Sequence, residues 1–505
     1  MLIHRKEIAV TIKRTLLLFG ILVCFLYFPF LGNAFVSDDI GGVVQSVPTW
    51  SFFGSLGLPH YIHLSTFLQY VTYHVFSLQP WAFRFVNILF HMGSVWLVYL
   101  IGKRLVKPGA AFVAALVFAV HPLVIESVTW ISGGVYAQYS FWFLLSFWCY
   151  IQGKKRYWLS LLFFILSVCT SEKALSLSLL FVVYEWFYGN LKKNWRSLIA
   201  FLIVNASLIV FYGLQISTRT QQLATSSYQS FAGFINPLLQ IPVAISTYLQ
   251  LFVFPVGLTL YHSELQFPWW NFMIRAVVVC VFFGITLYTF VKKKHIGFWL
   301  VWFVIGLLPT LTPFKIGWVV AERYVYFSLI GLCLAIGIVF DMVLSRKRLF
   351  VPVLCVGIVF LFGLCTLTVY RNSQWRTEDS LWIATARTSP SHPPTWNNMG
   401  DVYARAGNSE KAVEMFQRAI SLNPQYADAY HNLGHTYLLL GKLFEAKMNL
   451  EKALAINPNL WQSYRDLAVA AYEEKDLETA KTLLSKALQF APNDPTLLKL
   501  QKLIL

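Results

Sequence analysis

The chain has 505 residues, of which 57% are hydrophobic and only 12% are charged, whereas soluble domains are about half apolar and about a quarter charged. This composition excludes an ordinary soluble enzyme, a disordered chain and a collagen-like chain. The net charge of +17, considered alone, would fit a protein that binds nucleic acid. The distribution of the charges along the chain removes that interpretation.

The basic excess belongs almost entirely to the first 370 residues. These contain 25 Lys and Arg against 9 Asp and Glu, a net charge of +16, whereas residues 371–505 contain 15 against 14. Apolar segments near membrane-spanning length recur through the first region. We therefore predict a polytopic membrane domain over 1–370, a connector with a degraded leading repeat helix over 371–394, and a repeat domain over 395–505.

Basic clusters predict the membrane topology, because cytoplasmic loops retain Lys and Arg. Six clusters contain 19 of the 25 basic residues of the membrane domain. If all six are cytoplasmic, an even number of crossings must separate each neighbouring pair. An arrangement of 11 spans meets this condition, with the N-terminus cytoplasmic and the C-terminus outside. The predicted spans are 15–31, 80–102, 109–125, 134–152, 157–170, 174–189, 197–216, 271–291, 296–312, 323–344 and 349–370.

One apolar segment, residues 236–258, is left out of this count. A twelfth crossing there would place Lys292–Lys294 outside. We predict short helices that lie in or dip into the outer interface and are broken by Pro237, Pro242 and Pro255. A genuine span that violates the charge rule is the alternative.

The C-terminal region has an internal period of 34 residues. Eight positions match in three consecutive units, from Trp396 to Pro424, from Tyr430 to Pro458 and from Tyr464 to Pro492. Small residues in each unit let two helices approach, aromatic residues fill the groove between them, and a proline ends the second helix. This is the tetratricopeptide pattern, which predicts an α-solenoid with a capping helix after it. Such arrays usually bind a peptide or protein.

Acidic residues are rare in the membrane domain, so each one is informative. Three lie at or near predicted cytoplasmic ends, and the other six map to the outer side together with six bases. This asymmetry predicts an outward-facing polar cavity, and scattered loop charges are the alternative. The outer acids are Asp38, Asp39, Glu126, Glu172, Glu264 and Glu322, and the outer bases are Arg84, Lys173, Arg219, Arg275, Lys315 and Arg323.

Two sets of residues on the outer side have side chains of the types used in catalysis or ligand binding. Asp38 and Asp39 are adjacent carboxylates after the first span, which can hold a divalent cation or supply a general base, although acidic pairs also cap helices. Arg84, Asn87 and His91 are spaced i, i+3 and i+7, so they share a helix face that should point into protein. A lone histidine there is more typical of a packed interior than of a proton carrier.

Several segments in order resemble the transmembrane O-mannosyltransferases that carry tetratricopeptide repeats, and their bacterial relatives. These belong to the GT-C class of polytopic glycosyltransferases. The resemblance covers nearly the whole chain, but the chain departs from residues usual in the family at 62–64 and 132–135. It rests on residues 35–39, 85–91, 121–128, 171–173, 236–239 and 321–326, followed by the repeats.

The resemblance implies that the protein transfers a sugar from a polyprenyl-phosphate donor to an acceptor on the non-cytoplasmic side. The family's essential acidic residue would fall on Asp38 or Asp39, which we predict to be the base of an inverting transfer. We predict that Arg323, Lys173 and Arg219 bind the donor phosphate. The supporting or sugar-binding residues are predicted to be Glu126, Glu172, Glu322, His262, Asn87 and His91.

The remaining expectations concern partners and location. The acceptor is a protein hydroxyl or a glycan, membrane lipid surrounds the bundle, a protein partner binds the repeats, and nucleic acid is not a partner. A divalent cation is possible, but no convincing ligand set is present. An O-oligosaccharyl ligase and a non-catalytic scaffold or transporter are the alternative functions. We expect an integral protein of the bacterial inner membrane, or of the endoplasmic reticulum if eukaryotic.

Overall fold

The computed structural model describes residues 2–56, 63–225, 237–263, 267–311 and 319–504. Side chains of residues 2–10, 211–225, 237, 238 and 347 lie outside that description. The described residues form helices and no β-strand, which confirms the prediction of an all-α fold. The chain divides into two compact units, Met1–Ser380 and Leu381–Leu505.

The first unit is a bundle of apolar helices joined by short turns and 3₁₀ segments. Its helices are α1 Leu2–Tyr27, α2 Phe52–Ser55, α3 Leu64–Phe76, α4 Pro80–Leu105, α5 Pro108–Val120, α6 Ile125–Val128, α7 Val135–Ile151, α8 Tyr157–Thr170, α9 Leu179–Phe187, α10 Leu191–Thr225, α11 Pro237–Val253, α12 Trp269–Val291, α13 His295–Leu307, α14 Tyr326–Leu344 and α15 Phe350–Gln374. A helix overlaps each of the 11 predicted spans. Among the described residues, six helices are long and apolar enough to cross a membrane, or seven if the bent pair α5–α6 counts as one span.

Aromatic side chains fill the interior of the bundle. The ring of Trp302 on α13 stacks on Phe327 of α14 at 5.0 Å between centroids and meets Phe147 of α7 edge-on at 5.3 Å. Gly331 permits this contact, because a Cβ there would lie 2.4 Å from the carbonyl oxygen of Trp299. Close backbone approach at a glycine therefore holds α13 against α14.

Residues 237–253 differ from the prediction. Pro237, Pro242 and Pro255 were expected to separate short helices, but α11 runs without a break from Pro237 to Val253 and contains Pro242. Pro242 lies one turn after the helix begins, where its missing N–H leaves only the carbonyl of residue 238 without its helical partner. The prediction of a break at Pro242 was wrong. Asn236 lies outside the described residues.

The second unit repeats with the predicted period. Its first helices begin at 393, 427 and 461 and its second helices at 409, 443 and 477, so both series advance by 34 residues. The helices are α16 Glu378–Thr388, α17 Pro393–Arg405, α18 Ser409–Leu422, α19 Ala427–Leu439, α20 Leu443–Ile456, α21 Trp461–Glu473, α22 Leu477–Phe490 and α23 Pro495–Ile504. A Cβ at Gly400 would meet the ring of Phe416 at 2.5 Å. The small residues therefore do let the paired helices approach, as predicted.

Candidate active site

The loop after α1 carries the two aspartates in unlike environments. Asp39 is fully buried, and its Oδ1 accepts hydrogen bonds from the backbone N–H of Ser132 at 2.8 Å and from the Ser132 hydroxyl at 2.6 Å. Its Oδ2 accepts from the N–H of Val36 at 3.3 Å. Asp38 is exposed. Only Asp38 of the pair therefore has a carboxylate that a substrate can reach.

The surrounding protein raises the pKa of both carboxyls, although Asp38 keeps contact with solvent, and nearby groups oppose each rise. The pKa of Asp39 rises from an ordinary 3.8 to about 6, against the hydrogen bonds from Ser132 and the charge of Arg84. The surrounding protein raises the pKa of Asp38, and the positive charge of Arg323 lowers it. The effect of the Arg323 charge on this pKa indicates that the two side chains are near enough to interact electrostatically.

Arg84 supports this loop. Its side chain is buried, and its Nε donates to the carbonyl of Thr129 at 2.9 Å. Its terminal nitrogens donate to the carbonyls of Asn33 and Ala34. Because these donors are already engaged by backbone, Arg84 fixes the course of the aspartate loop and is not available to a phosphate.

Asn87 lies on the polar face predicted for α4. It contacts the segment 131–134, whose Ser132 binds Asp39. Its Oδ1 accepts from the side-chain amide of Gln138 at 3.1 Å, and its Nδ2 donates to the carbonyl of Ile131 at 3.4 Å. Gly133 and Gly134 allow the contact: a Cβ at Gly134 would lie 2.0 Å from the Asn87 Oδ1. The 132–135 segment, where the chain departs from the family, thus packs directly against the site.

Glu126 and Arg323 form the centre of the site. The carboxylate of Glu126 is fully buried, and its Oε2 accepts from the backbone N–H of Arg323 at 3.0 Å and from its Nη1 at 3.1 Å. The Arg323 side chain retains 11% exposure and lies 5.2 Å from the ring centroids of both Trp130 and Tyr324. Arg323 is thus anchored by a carboxylate and flanked by two aromatic rings, and its exposed part is suited to bind an anion.

A second arginine completes this cluster, and the sequence analysis missed it. Arg371 lies in the last turn of α15, and its Nη2 is 3.2 Å from Oε1 and 3.3 Å from Oε2 of the buried Glu322. The same nitrogen lies 3.9 Å from Glu126 Oε1. The predicted membrane domain ended at residue 370, whereas α15 continues to Gln374. The continued absence of helix-breaking residues after 370 was the available signal.

Glu322 also joins the segment after α11 to the site. Its Oε1 accepts from the backbone N–H of Thr259 at 2.6 Å, and His262 Nε2 lies 3.6 Å away. Tyr248 of α11 reinforces this junction, because its hydroxyl bonds both the N–H and the carbonyl of Ala321 at 3.1 Å. Glu322 and His262 thus lie together beside Arg371, and their supporting role stays a prediction.

Lys173 lies at the edge of the same site. Its Nζ is 3.7 Å from Glu172 Oε1 and 5.2 Å from the ring centroid of Tyr136. The Tyr136 ring lies 5.9 Å from that of Tyr324, which in turn contacts the guanidinium of Arg323. Lys173 and Glu172 each keep 26% exposure. Two tyrosines thus connect Lys173 and Arg323, two of the three predicted phosphate-binding cations, into one surface.

Other predicted site residues lie elsewhere. His91 is buried among aromatic rings, with Nδ1 2.9 Å from the Tyr326 hydroxyl, which is an interior position. Arg275 donates to Ser246, Thr247 and Gln250 and so ties α12 to α11. Of the predicted outer charges, Glu264, Lys315 and the side chain of Arg219 lie outside the described residues, as does Ile62 of the 62–64 departure.

A divalent-cation site gains no support from the adjacent aspartates. Both oxygens of Asp39 accept hydrogen bonds from protein donors, so the pair does not offer two free carboxylates. Within the ranges that the structure describes, no group of three or more His, Cys, Asp or Glu side chains converges as a metal-binding set. The residues of the aspartate loop therefore do not fit a two-carboxylate metal site.

The fold and the site define a polytopic membrane protein with a charged, partly open cluster and a C-terminal tetratricopeptide array. Tetratricopeptide family models match residues 400–441 and 427–460. Residues of the chain align at 24% identity with human protein O-mannosyl-transferase TMTC3 over 82% of this chain and 52% of that protein. Caenorhabditis elegans protein O-mannosyl-transferase F38B6.6 aligns at 24% identity over 79% of this chain and 61% of that protein.

These relatives confirm the resemblance to O-mannosyltransferases that carry repeats. The chain spans about half the length of the curated relatives that it matches. Among solved structures, the Arabidopsis OM64 TPR domain is 22% identical to this chain. The match covers 22% of this chain and 93% of that domain, with a TM-score of 0.22.

Proposed function

We propose that the protein is an integral-membrane glycosyltransferase that moves a sugar from a polyprenyl-phosphate donor to a polypeptide hydroxyl by an inverting mechanism. The observation that carries the proposal is the cation Arg323, which Glu126 anchors at 3.1 Å, together with the exposed Asp38 carboxylate on which its charge acts. The aligned relatives are named as protein O-mannosyl-transferases, so mannose is the first sugar to test.

Asp38 is the general base of the proposed reaction. The acceptor oxygen forms a bond to the anomeric carbon of the sugar while the bond from that carbon to the phosphate oxygen breaks. The proton of the acceptor hydroxyl passes to Asp38, and the phosphate leaves with the bonding electron pair. A raised carboxyl pKa favours this role, because a base works best when its pKa approaches the working pH.

Arg323 and Lys173 stabilise the leaving phosphate. Arg323 is held by Glu126 through both its backbone and its side chain, so it needs little reorganisation when charge develops on the phosphate. Lys173 supplies a second cation beyond Tyr136 and Tyr324. Asp39 positions the loop by binding Ser132, and takes no proton in this scheme.

The test is transfer from polyprenyl-phosphate mannose to a peptide containing serine and threonine, catalysed by purified full-length protein. The Asp38→Asn variant should lose about 100-fold or more in kcat, the usual contribution of a general base. Asp39→Asn keeps an acceptor oxygen for Ser132 and should lose less. Undiminished transfer in both variants would overturn the mechanism, and a greater loss in Asp39→Asn would reverse the two roles.

A further inference from the structure

Two of the six basic clusters meet on one surface of the first unit, far along the sequence from each other. One occupies the first turns of α10, next to the turn that joins it to α9, and the other occupies the turn between α12 and α13. The ring of Phe187 contacts Phe290 at 5.3 Å, and the hydroxyl of Tyr188 lies 3.1 Å from His295 Nδ1. The two turns therefore pack directly against each other.

This contact gathers six exposed cations. They are Lys192, Lys193, Arg196, Lys292, Lys293 and Lys294. The sequence from residue 186 to residue 263 and from 265 to 321 contains no Asp or Glu. Glu185, the nearest acid in the sequence, is buried and accepts from Tyr150 and Asn194. In the described part of the chain, the segments that carry these cations therefore add dense positive charge and no exposed carboxylate of their own.

Aromatic rings are interleaved with the cations. Lys293 Nζ lies 4.6 Å from the ring centroid of Trp186, which belongs to the other turn's helix, and Lys294 Nζ lies 4.7 Å from that of Tyr288. Trp186 and Tyr288 are 42% and 55% exposed. Amphipathic rings of this kind are typical of the level of lipid head groups, where a side chain needs an apolar and a wet end.

One of these cations, Lys293, has a strained backbone conformation. Lys293 has a φ of 48°, in the left-handed region that disfavours residues with a Cβ. Glycine would relieve this strain, yet the position carries a cation set over the Trp186 ring. Strained conformations of this type are retained mostly where the surrounding structure or a ligand uses them.

We propose that these two turns form a binding site for the head groups of anionic phospholipids in the leaflet they face. Six converging cations complement a cluster of lipid phosphates, and each basic residue near an anionic membrane surface adds to the attraction. The surrounding rings seat the glycerol and upper acyl region. The site is separate from the candidate active site and does not depend on the proposed transfer reaction.

The experiment uses purified full-length protein in neutral detergent, titrated with phosphatidylglycerol or with phosphatidylcholine while thermal unfolding is followed. Phosphatidylglycerol should raise the melting temperature in a saturable way, and phosphatidylcholine should not. The triple variant Lys292→Gln, Lys293→Gln, Lys294→Gln should bind phosphatidylglycerol at least about tenfold more weakly. The matched control removes the same charge from another basic cluster, as Arg346→Gln, Lys347→Gln, Arg348→Gln, and should bind as the wild type does.

Lys293→Gly separates lost binding from lost folding. It removes one cation but suits the backbone at φ 48°, so its unliganded melting temperature should not fall while its affinity for phosphatidylglycerol does. Equal weakening by the two triple variants would show that total charge alone matters and would overturn the proposal. Saturation of the same site by inorganic phosphate, or equal binding of phosphatidylcholine, would also overturn it.

Discussion

The guanidinium of Arg371 binds Glu322 through one nitrogen, with Nη2 3.2 Å from Oε1 and 3.3 Å from Oε2. Both side chains are buried, and the same nitrogen lies 3.9 Å from the buried carboxylate of Glu126. One guanidinium thus compensates two carboxylates that also hold Arg323 and the segment after α11. The order of the candidate site depends on this residue at the end of α15.

Replacing Arg371 by glutamine should destabilise the protein strongly. The change leaves Glu322 in a buried position without its main cation, which typically costs about 3–5 kcal/mol. Thermal unfolding in detergent measures the effect. The double variant Arg371→Gln, Glu322→Gln should recover much of the loss, because it removes both charges.

The exposed Arg376 provides a matched control five residues further on. Arg376→Gln should melt as the wild type does, because the bond from Ala34 N–H reaches the Arg376 backbone carbonyl and not its side chain. A wild-type melting temperature for Arg371→Gln would contradict the arrangement described for the cluster.

Gly133→Ala should damage the site through a backbone clash. A Cβ at this position would lie 1.9 Å from the carbonyl oxygen of Glu126, so one of the two segments must move. Overpacking of this kind typically costs about 1–3 kcal/mol, and transfer activity should fall with the melting temperature. Gly363→Ala in α15 meets nothing within 4 Å and should be neutral. Equal effects of the two substitutions would contradict the close packing of Gly133 against the backbone of Glu126.

Asp39 should make stability depend on pH between about 4 and 6. Burial raises its pKa from 3.8 to about 6 in the folded protein, so in this range the folded state binds more protons than the unfolded state. Its contribution to stability therefore increases as pH falls from about 6 to about 4 and is lost as pH rises through the folded pKa. A rise of the pKa from 3.8 to about 6 corresponds to about 3 kcal/mol of folding free energy.

Asp39→Asn should flatten that part of the pH profile, because asparagine does not titrate. Melting temperatures of the wild type and Asp39→Asn across this pH range provide the measurement. A profile of the same slope in both proteins would assign the dependence to other groups.

Lys475→Gly should stabilise the repeats. Gly407 and Gly441 end the first helices of two repeats with φ of 77° and 71°, and Lys475 occupies the equivalent position of the third with φ of 66°. A residue with a Cβ in this conformation costs about 1–2 kcal/mol, so the variant should need more urea for unfolding. Gly441→Ala should have the opposite effect. Urea titration of residues 381–505, which form a compact unit with its own core, gives the comparison.

Periodic features were predictable because their causes are local in the sequence. The 34-residue repeat fixes helix length, helix pairing and the positions of small residues, and all three recur in the structure. The apolar segments predicted the helices of the first unit for the same reason, since a helix in lipid must satisfy its backbone internally. The break expected at Pro242 failed because a proline near the start of a helix leaves only one carbonyl without its helical partner.

The sequence by itself determined an all-α membrane bundle with a repeat array, and it identified the few charged residues that needed an explanation. Tertiary structure decided how these charges divide their roles. Asp38 and Asp39 are neighbours in sequence, yet one is exposed and the other is buried against Ser132. Arg371 joins Glu322 and Glu126 across 49 and 245 positions of the chain. Such contacts arise from packing between distant helices, which no local pattern encodes.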